Sequence, residues 1–413
     1  MNKISCDLLV IGGGASGIGA ALKAAREGIE VIVVERLNLA GGILNQCIHN
    51  GFGLHYFKKE LTGPEYAANL LSLTKDLPIK FLFEHFLLSI DKKTKTAYFT
   101  SEDGIIAISC KALVYSAGAR ERPFGSLLIP GDRVSGIYTA GVAQKFINIE
   151  NRIIGKRAMV LGSGDIGLIM ARRLTLEGVE VVAVCERMPY PGGLSRNINQ
   201  CLKDFGIPLL LSTTVTEVRG DGRLSEVITS ELDENYNVIE GSQRSWSVDT
   251  LVLSVGLVPS TTLMMDYVDI DSRTRGIVVD STMNTSTPWI FSSGNCVIIY
   301  DLVDYVTKEG EIAGMYATEY IKEAKQKKKI PIKKGIGVGI INCAYWVEGS
   351  DLPLYLRAIK PIEKGRLVVR TDKNILYEGK EQAFIPSEMV HKNIKSEQIS
   401  KVGDIDNIIV EIV

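Results

Sequence analysis

The chain has 413 residues, of which 46% are apolar, with 47 Lys and Arg set against 48 Asp and Glu. The net charge of −1 leaves no cationic excess to release phosphate counterions, which excludes an electrostatic nucleic-acid binder, and the apolar fraction excludes wholesale disorder. The length suits two or three domains, and no charge-free apolar run reaches the ~18 residues that a membrane span requires.

The first predicted element is an apolar strand, Leu8-Leu9-Val10-Ile11, running into Gly12-Gly13-Gly14-Ala15-Ser16-Gly17. The stretch from Leu8 to Leu22 lacks the basic leader of a signal peptide and is interrupted by glycine, so strand and turn is the better reading. A helical pattern continues to Arg26, Gly28 closes it, and a second strand, Ile29 to Val34, ends at Glu35-Arg36. Gly41-Gly42 follows, then Cys47, His49 and His55.

About 150 residues on, the same order returns. Met159-Val160-Leu161 leads into Gly162-Ser163-Gly164-Asp165-Ile166-Gly167, a helix runs to Glu177, Gly178 closes it, and Val179 to Cys185 ends at Glu186-Arg187. Gly192-Gly193 repeats Gly41-Gly42. Leu113-Val114-Tyr115-Ser116-Ala117-Gly118 is echoed by Leu251-Val252-Leu253-Ser254-Val255-Gly256. One Gly-x-Gly-x-x-Gly alone is a weak signal, but two in matching strand–helix–strand frames predict a duplicated dinucleotide-binding unit. The first glycine allows the tight turn, the second lets the backbone approach a diphosphate, and the third lets helix and strand pack closely. The helix N-terminus favours the anion, and the carboxylate ending the second strand accepts from ribose hydroxyls.

The seven cysteines are scattered and contain no Cys-x-x-Cys. That excludes the usual zinc and iron–sulfur spacings and fits a reducing cytoplasm. Residues 322–334 hold seven lysines and read as a solvated helix end and linker. Beyond them, Gly335 to Ile341, Leu354 to Ile359, Arg366 to Thr371, Ile375 to Tyr377 and Ile408 to Val413 read as short strands of a small β-rich domain.

On these motifs, residues 5–320 resemble the FAD- and NAD(P)-dependent pyridine nucleotide oxidoreductases with two dinucleotide-binding domains. The resemblance implies an α/β chain in which an FAD-binding Rossmann-like domain (1–122 and 262–326) is interrupted by an NAD(H)-binding one (123–261), with the β-rich domain at 335–413. It assigns Gly12, Gly14, Gly17, Glu35, Arg36, Gly41, Gly42, Ala117 and Gly118 to FAD. Gly162, Gly164, Asp165, Gly167, Glu186, Arg187 and Gly256 fall to the nicotinamide cofactor. A later segment completes the FAD domain through Gly294-Asn295 and the helix from Leu302 to Ile321, whose first residues, Val303 among them, face the flavin. The family has Asp where this chain has Asn295, which keeps hydrogen-bonding capacity and loses the charge.

NAD(H) is expected over NADP(H). Glu186 would repel a 2′-phosphate by about 4 kcal/mol at 4 Å and an effective dielectric of ~20, although Arg187 is placed to soften this. The disulfide-reductase branch has a cysteine pair after the first Gly-Gly, where this chain has Cys47 alone. Cys47 and His49 are the candidate redox and acid–base groups, set against a packing thiol and a hydrogen-bonded wall residue. Arg120 and Arg122 are expected either at a diphosphate or in ion pairs with Glu121 or Asp132.

The segment from Gly41 to His55 is similar to the flavoprotein encoded beside anaerobic glycerol-3-phosphate dehydrogenase. Ala117 to Pro123 is similar to opine oxidase, sarcosine oxidase and hydrogen cyanide synthase subunits. This likeness implies a partner redox protein, with a glycerol-3-phosphate dehydrogenase-like flavoprotein as the candidate. The alternatives are a self-contained NADH oxidase or peroxidase using Cys47, and a non-catalytic cofactor-holding subunit.

Overall fold

The computed structural model describes residues 2–323, 325 and 327–413; the expected domain end at 326 lies outside them. The chain forms two compact units, 1–119 with 258–413, and 120–257.

In the first unit a parallel sheet runs Ile79–Leu82, Val31–Val34, Asn2–Ile11, Gly104–Tyr115, with Ile290–Ser292 beside the last. Two antiparallel strands, Thr96–Ser101 and Phe86–Asp91, extend it. The central strand is longer than its apolar run suggested. Leu8, Leu9 and Val10 are fully buried, as expected for a strand covered on both faces. Helix Ala15–Ala25 packs on one face and ends at Gly28, whose φ of 80° needs no Cβ.

Helix Val303–Lys322 crosses that first helix at small residues. A Cβ on Gly310 would strike the Ser16 carbonyl, and one on Gly314 the Ala20 carbonyl. Gly310-Glu311-Ile312-Ala313-Gly314 is therefore a packing motif in which glycine lets two backbones meet.

Residues 335–413 are β-rich, as expected, but they do not stand apart as a separate domain. Their core side chains Leu354, Tyr355, Val369, Ile408 and Val410 join the same cluster as Leu8, Leu113 and Ile290. Backbone bonds stitch them in: Ala344 N–H to the Val279 carbonyl (2.8 Å) and Ser281 N–H to the Tyr345 carbonyl (2.8 Å). The lysine-rich stretch is only partly linker. Lys329–Lys334 is a strand between Tyr345–Val347 and Ile408–Ile412, with Ile330 buried and the lysines at 329, 333 and 334 exposed. Charge masked its alternation.

In the second unit a parallel sheet runs Ile137–Thr139, Thr250–Leu253, Arg157–Leu161, Glu180–Cys185, Leu209–Leu210. Its period of two is visible in the packing. Val160, Val184 and Val252 join the core with helices Ala140–Asn148 and Asp165–Leu176. Met159, Leu161, Ala183, Cys185, Leu251 and Leu253 join the core with the meander Thr213–Asp221, Arg223–Glu231 and Arg244–Ser247.

Candidate functional site

Each unit builds a cradle from the glycine motif at the mouth of its sheet. Gly12 and Gly162 have φ of 107° and 103°. A Cβ on either would hit the carbonyl of Ser116 or Ser254 in the neighbouring strand end. A Cβ on Gly17 or Gly167 would hit the carbonyl of Gly12 or Gly162. These four glycines are required by the fold itself.

The middle glycines differ. Gly14 and Gly164 have ordinary extended backbone, φ −81° and −64°. A Cβ on Gly14 meets nothing within 4 Å, and one on Gly164 only the Ser254 hydroxyl at 4.0 Å. The protein does not need them to be glycine. Gly118 and Gly256 likewise face open space at matching positions, with φ of 71° and 92°.

Gly14 and Gly164 are the N-caps of the two helices, and no side chain caps either end. Helix Gly63–Ser72, by contrast, is closed by a Thr62–Glu65 capping box. The first-turn amides of the two cradle helices are thus left for an external acceptor.

The carboxylates sit where the motif places them. Buried Glu35 accepts from Gly13 N–H (2.8 Å) and Leu37 N–H (2.9 Å). Buried Glu186 accepts from Ser163 N–H (3.0 Å), Ser163 Oγ (2.7 Å) and Met188 N–H (2.9 Å). The Gly-Gly pairs dock on the cradles. Gly41 N–H donates to the Gly13 carbonyl (2.8 Å), and Gly192 N–H to Ser163 Oγ (2.8 Å). Open middle glycines, uncapped helices and flanking carboxylates together fit a diphosphate with its ribose, once in each unit.

Other expected residues take structural partners. Asp165 accepts from Leu194 N–H (2.8 Å) and Asn197 Nδ2 (2.7 Å), so it braces the second cradle. Asn295 accepts from Tyr300 N–H (3.1 Å) and closes its own turn. The ion pairs expected for Arg120 and Arg122 are absent among the described residues. Glu121 instead accepts from Gly141 N–H (2.7 Å), in the first turn of helix Ala140–Asn148, and Asp132 from Gly220 N–H (2.9 Å), in strand Thr213–Asp221, so backbone amides take both carboxylates. Arg36 is exposed, and the Arg187 guanidinium lies 4.8 Å from the Tyr236 ring centroid.

Cys47 is half-buried after the short helix Gly42–Gln46, and its thiol donates to the Ile43 carbonyl at 3.3 Å. His49 Nδ1 lies 3.0 Å from the Asn50 carbonyl, and its ring packs on Phe52. None of the seven cysteines is in a disulfide. Among the described residues no group of three or more His, Cys, Asp or Glu is arranged to hold a metal.

Several site residues escaped the sequence reading. The hydroxyl of Ser293 meets those of Ser16 (2.7 Å) and Ser116 (3.1 Å), tying the glycine loop to the Gly294 turn. Buried Asp304, in the first turn of the Val303–Lys322 helix, accepts from the amides of Gly53, His55 and Tyr56. Glu309 is wholly buried and accepts from Gly294 N–H (2.5 Å) and the Tyr300 hydroxyl. Burial pushes its carboxyl up to about 7, against the pull of those donors. The available signal was an acidic residue in the helix's buried stripe, at 304 and 309.

Residues 6–326 match the pyridine nucleotide-disulphide oxidoreductase family. The chain belongs to this family. Its members are FAD-dependent NAD(P)H oxidoreductases, and so is this protein. Thioredoxin reductase of Listeria innocua is 26% identical over 323 residues, 78% of this chain and 95% of the relative. NADH oxidase of Streptococcus pyogenes is 32% identical over 164 residues, 38% of this chain and 33% of the relative. The fold matches T. acidophilum thioredoxin reductase with a TM-score of 0.65 at 22% identity, over 77% of this oxidoreductase and 99% of that chain. Among the described residues of this family member, no helix is long and apolar enough to cross a membrane.

Proposed function

We propose that the 12–17 cradle, with Glu35, Gly118 and the Gly294-Asn295 turn, holds FAD, that the 162–167 cradle with Glu186 holds NAD(H) in preference to NADP(H), and that electrons pass to or from a partner redox protein. The observation that carries this reading is the pair of middle glycines that the protein itself does not require. When bound, FAD supplies a ring that exchanges hydride with a nicotinamide.

The chain's own part is binding and orientation. Amides of Ala15, Ser16 and Gly17 receive one diphosphate and those of Asp165, Ile166 and Gly167 the other. Glu35 and Glu186 turn from loop amides toward ribose hydroxyls. Buried Glu186 disfavours a 2′-phosphate. The likeness of the Gly41–His55 segment favours a glycerol-3-phosphate dehydrogenase-like flavoprotein as the partner, in a reducing cytoplasm.

The test is an anaerobic titration of the yellow protein with NADH and then NADPH while the flavin band is followed. Bleaching by NADH at lower concentration than by NADPH supports the reading, and the reverse order overturns the preference. A flavin that neither nucleotide reduces marks a cofactor-holding subunit. Adding the partner with its own substrate tests reverse flow. The NADH oxidase match over 164 residues favours a second reading, a self-contained oxidase using Cys47. Under that reading Cys47→Ser abolishes turnover with oxygen or peroxide, whereas under the first it leaves flavin reduction intact.

A further inference from the structure

We propose that the hairpin loop 232–238 is a selectivity element of the second cradle, in which the Tyr236 ring holds the Arg187 guanidinium and withholds it from a 2′-phosphate. The inference rests on the reading of residues 162–187 as a nucleotide cradle and assigns a role to a loop some fifty residues further along the chain.

Three observations carry it. First, Arg187 directly follows Glu186, where an arginine is able to receive a 2′-phosphate, and its guanidinium lies 4.8 Å from the Tyr236 ring centroid. Among the described residues no aromatic ring lies under Arg36, the counterpart in the first cradle. The same Glu-Arg pair is thus treated differently in the two units.

Second, the loop is built to hold that ring. Leu232 bridges Val238 at its base. The Asp233 carboxylate accepts from the amides of Asn235 and Asn237, both at 2.8 Å, and Tyr236 N–H donates to the Asp233 carbonyl (2.9 Å). Tyr236 has φ +64°, a left-handed conformation that turns normally assign to Gly or Asn. Asn235 and Asn237 flank it.

Third, backbone bonds tie the base of the loop to the chain just past Glu186: Leu232 N–H donates to the Ser212 carbonyl (2.7 Å), and Ser212 N–H donates to the Met188 carbonyl (3.0 Å). Arginine stacks on aromatic faces as a planar cation, which costs it little when exposed and fixes its direction.

The test measures, by calorimetry on the FAD-loaded protein, binding of adenosine 2′,5′-bisphosphate, which has the 2′-phosphate, and of ADP, which lacks it. Tyr236→Ala is expected to tighten the bisphosphate by about two- to fivefold relative to ADP, the release of one exposed cation–π contact. Tyr236→Phe keeps the ring and is expected to behave as the wild type. Tyr236→Ala combined with Arg187→Ala is expected to lose the gain, and the NADPH-to-NADH ratio of kcat/KM is expected to follow the same order. An unchanged ratio in Tyr236→Ala, or a gain that persists without Arg187, overturns the proposal. A wild type that prefers the bisphosphate sinks the NAD(H) preference, and the Tyr236→Ala ratio still decides the loop's role. Binding of neither nucleotide removes the cradle and the loop's role together.

Discussion

Glycine does two separate jobs in each cradle, and single residues tell them apart. Gly12, Gly17, Gly162 and Gly167 are held by carbonyls a Cβ would strike, whereas Gly14 and Gly164 look into open space. Gly14→Ala is therefore expected to cost no more than about 1 kcal/mol of unfolding free energy, the exchange of a glycine N-cap for alanine, while the purified protein loses most of its flavin. Absorbance per mole of polypeptide and a denaturation curve measure the two effects. Gly164→Ala is expected to keep its flavin and to bind ADP about tenfold more weakly, a loss of roughly 1.4 kcal/mol. If Gly17→Ala proves as stable as Gly14→Ala, the division is wrong. The motif was legible at this scale because close approach demands one residue type. Glu309 and Asp304 were not, since a buried carboxylate is recognisable only once its donors, from residues 53–56 and 294–300, are known.

At the scale of elements, the crossing of helices Ala15–Ala25 and Val303–Lys322 links the first glycine loop to the last segment of the unit. Gly310 meets the Ser16 carbonyl, and Ser16 in turn meets Ser293. Gly310→Ala overpacks this contact and is expected to cost about 1–3 kcal/mol. It also displaces Ser16, so weakened flavin retention should accompany the lower denaturation midpoint. Gly403 has a φ of 82° and open space around a Cβ, and Gly403→Ala would lose stability through backbone strain alone, with flavin retention unchanged. The first of these helices was visible as a helical pattern, and the second was implied by the family resemblance. Their mutual crossing was not, although Gly310 and Gly314, one helical turn apart, were its trace. The strand Tyr345–Val347 was missed because three residues are too short a run to show an alternation, and Val390–Ile394 because only its two ends are apolar.

Across the whole molecule, two titratable groups in the first unit, buried Glu309 and the more exposed His391, oppose each other in pH dependence. Burial raises Glu309 to about 7. Its folded value exceeds its unfolded value, so its contribution is full below about pH 4.5 and is lost as pH rises to about 7, roughly 3 kcal/mol in all. Burial, followed by the charges of Lys308, His55 and Lys392, lowers His391 to about 4. Its contribution is present above about pH 6.5 and is lost as pH falls toward 4. Chemical denaturation between pH 5 and 7 is expected to show a shallow slope for the wild type. Glu309→Gln should expose the His391 slope, with stability rising as pH rises. His391→Asn should expose the Glu309 slope, with stability falling as pH rises. Identical slopes in both variants would contradict the assignment. His391 lies in the C-terminal segment, with its ring stacked on Tyr355 at 4.5 Å, and Tyr355 packs on Tyr300, the donor to Glu309. The C-terminal strands thereby bear on the Gly294 turn.

The repeated strand–Gly-x-Gly-x-x-Gly–helix–strand frame was decided by the sequence alone, and with it the two cradles and the carboxylates Glu35 and Glu186. Much of this is local, set within some twenty-five residues of chain by contacts such as Gly17 against the Gly12 carbonyl and Gly13 N–H on Glu35. The tertiary structure decided where the remaining polar groups act. It gave Asp165 and Asn295 structural partners, took Glu121 and Asp132 away from Arg120 and Arg122, merged residues 335–413 into the first unit's core, and set Tyr236 under Arg187. Those outcomes depend on competition for hydrogen-bond donors and apolar surface between segments far apart in the chain, and neither composition nor spacing encodes which competitor wins.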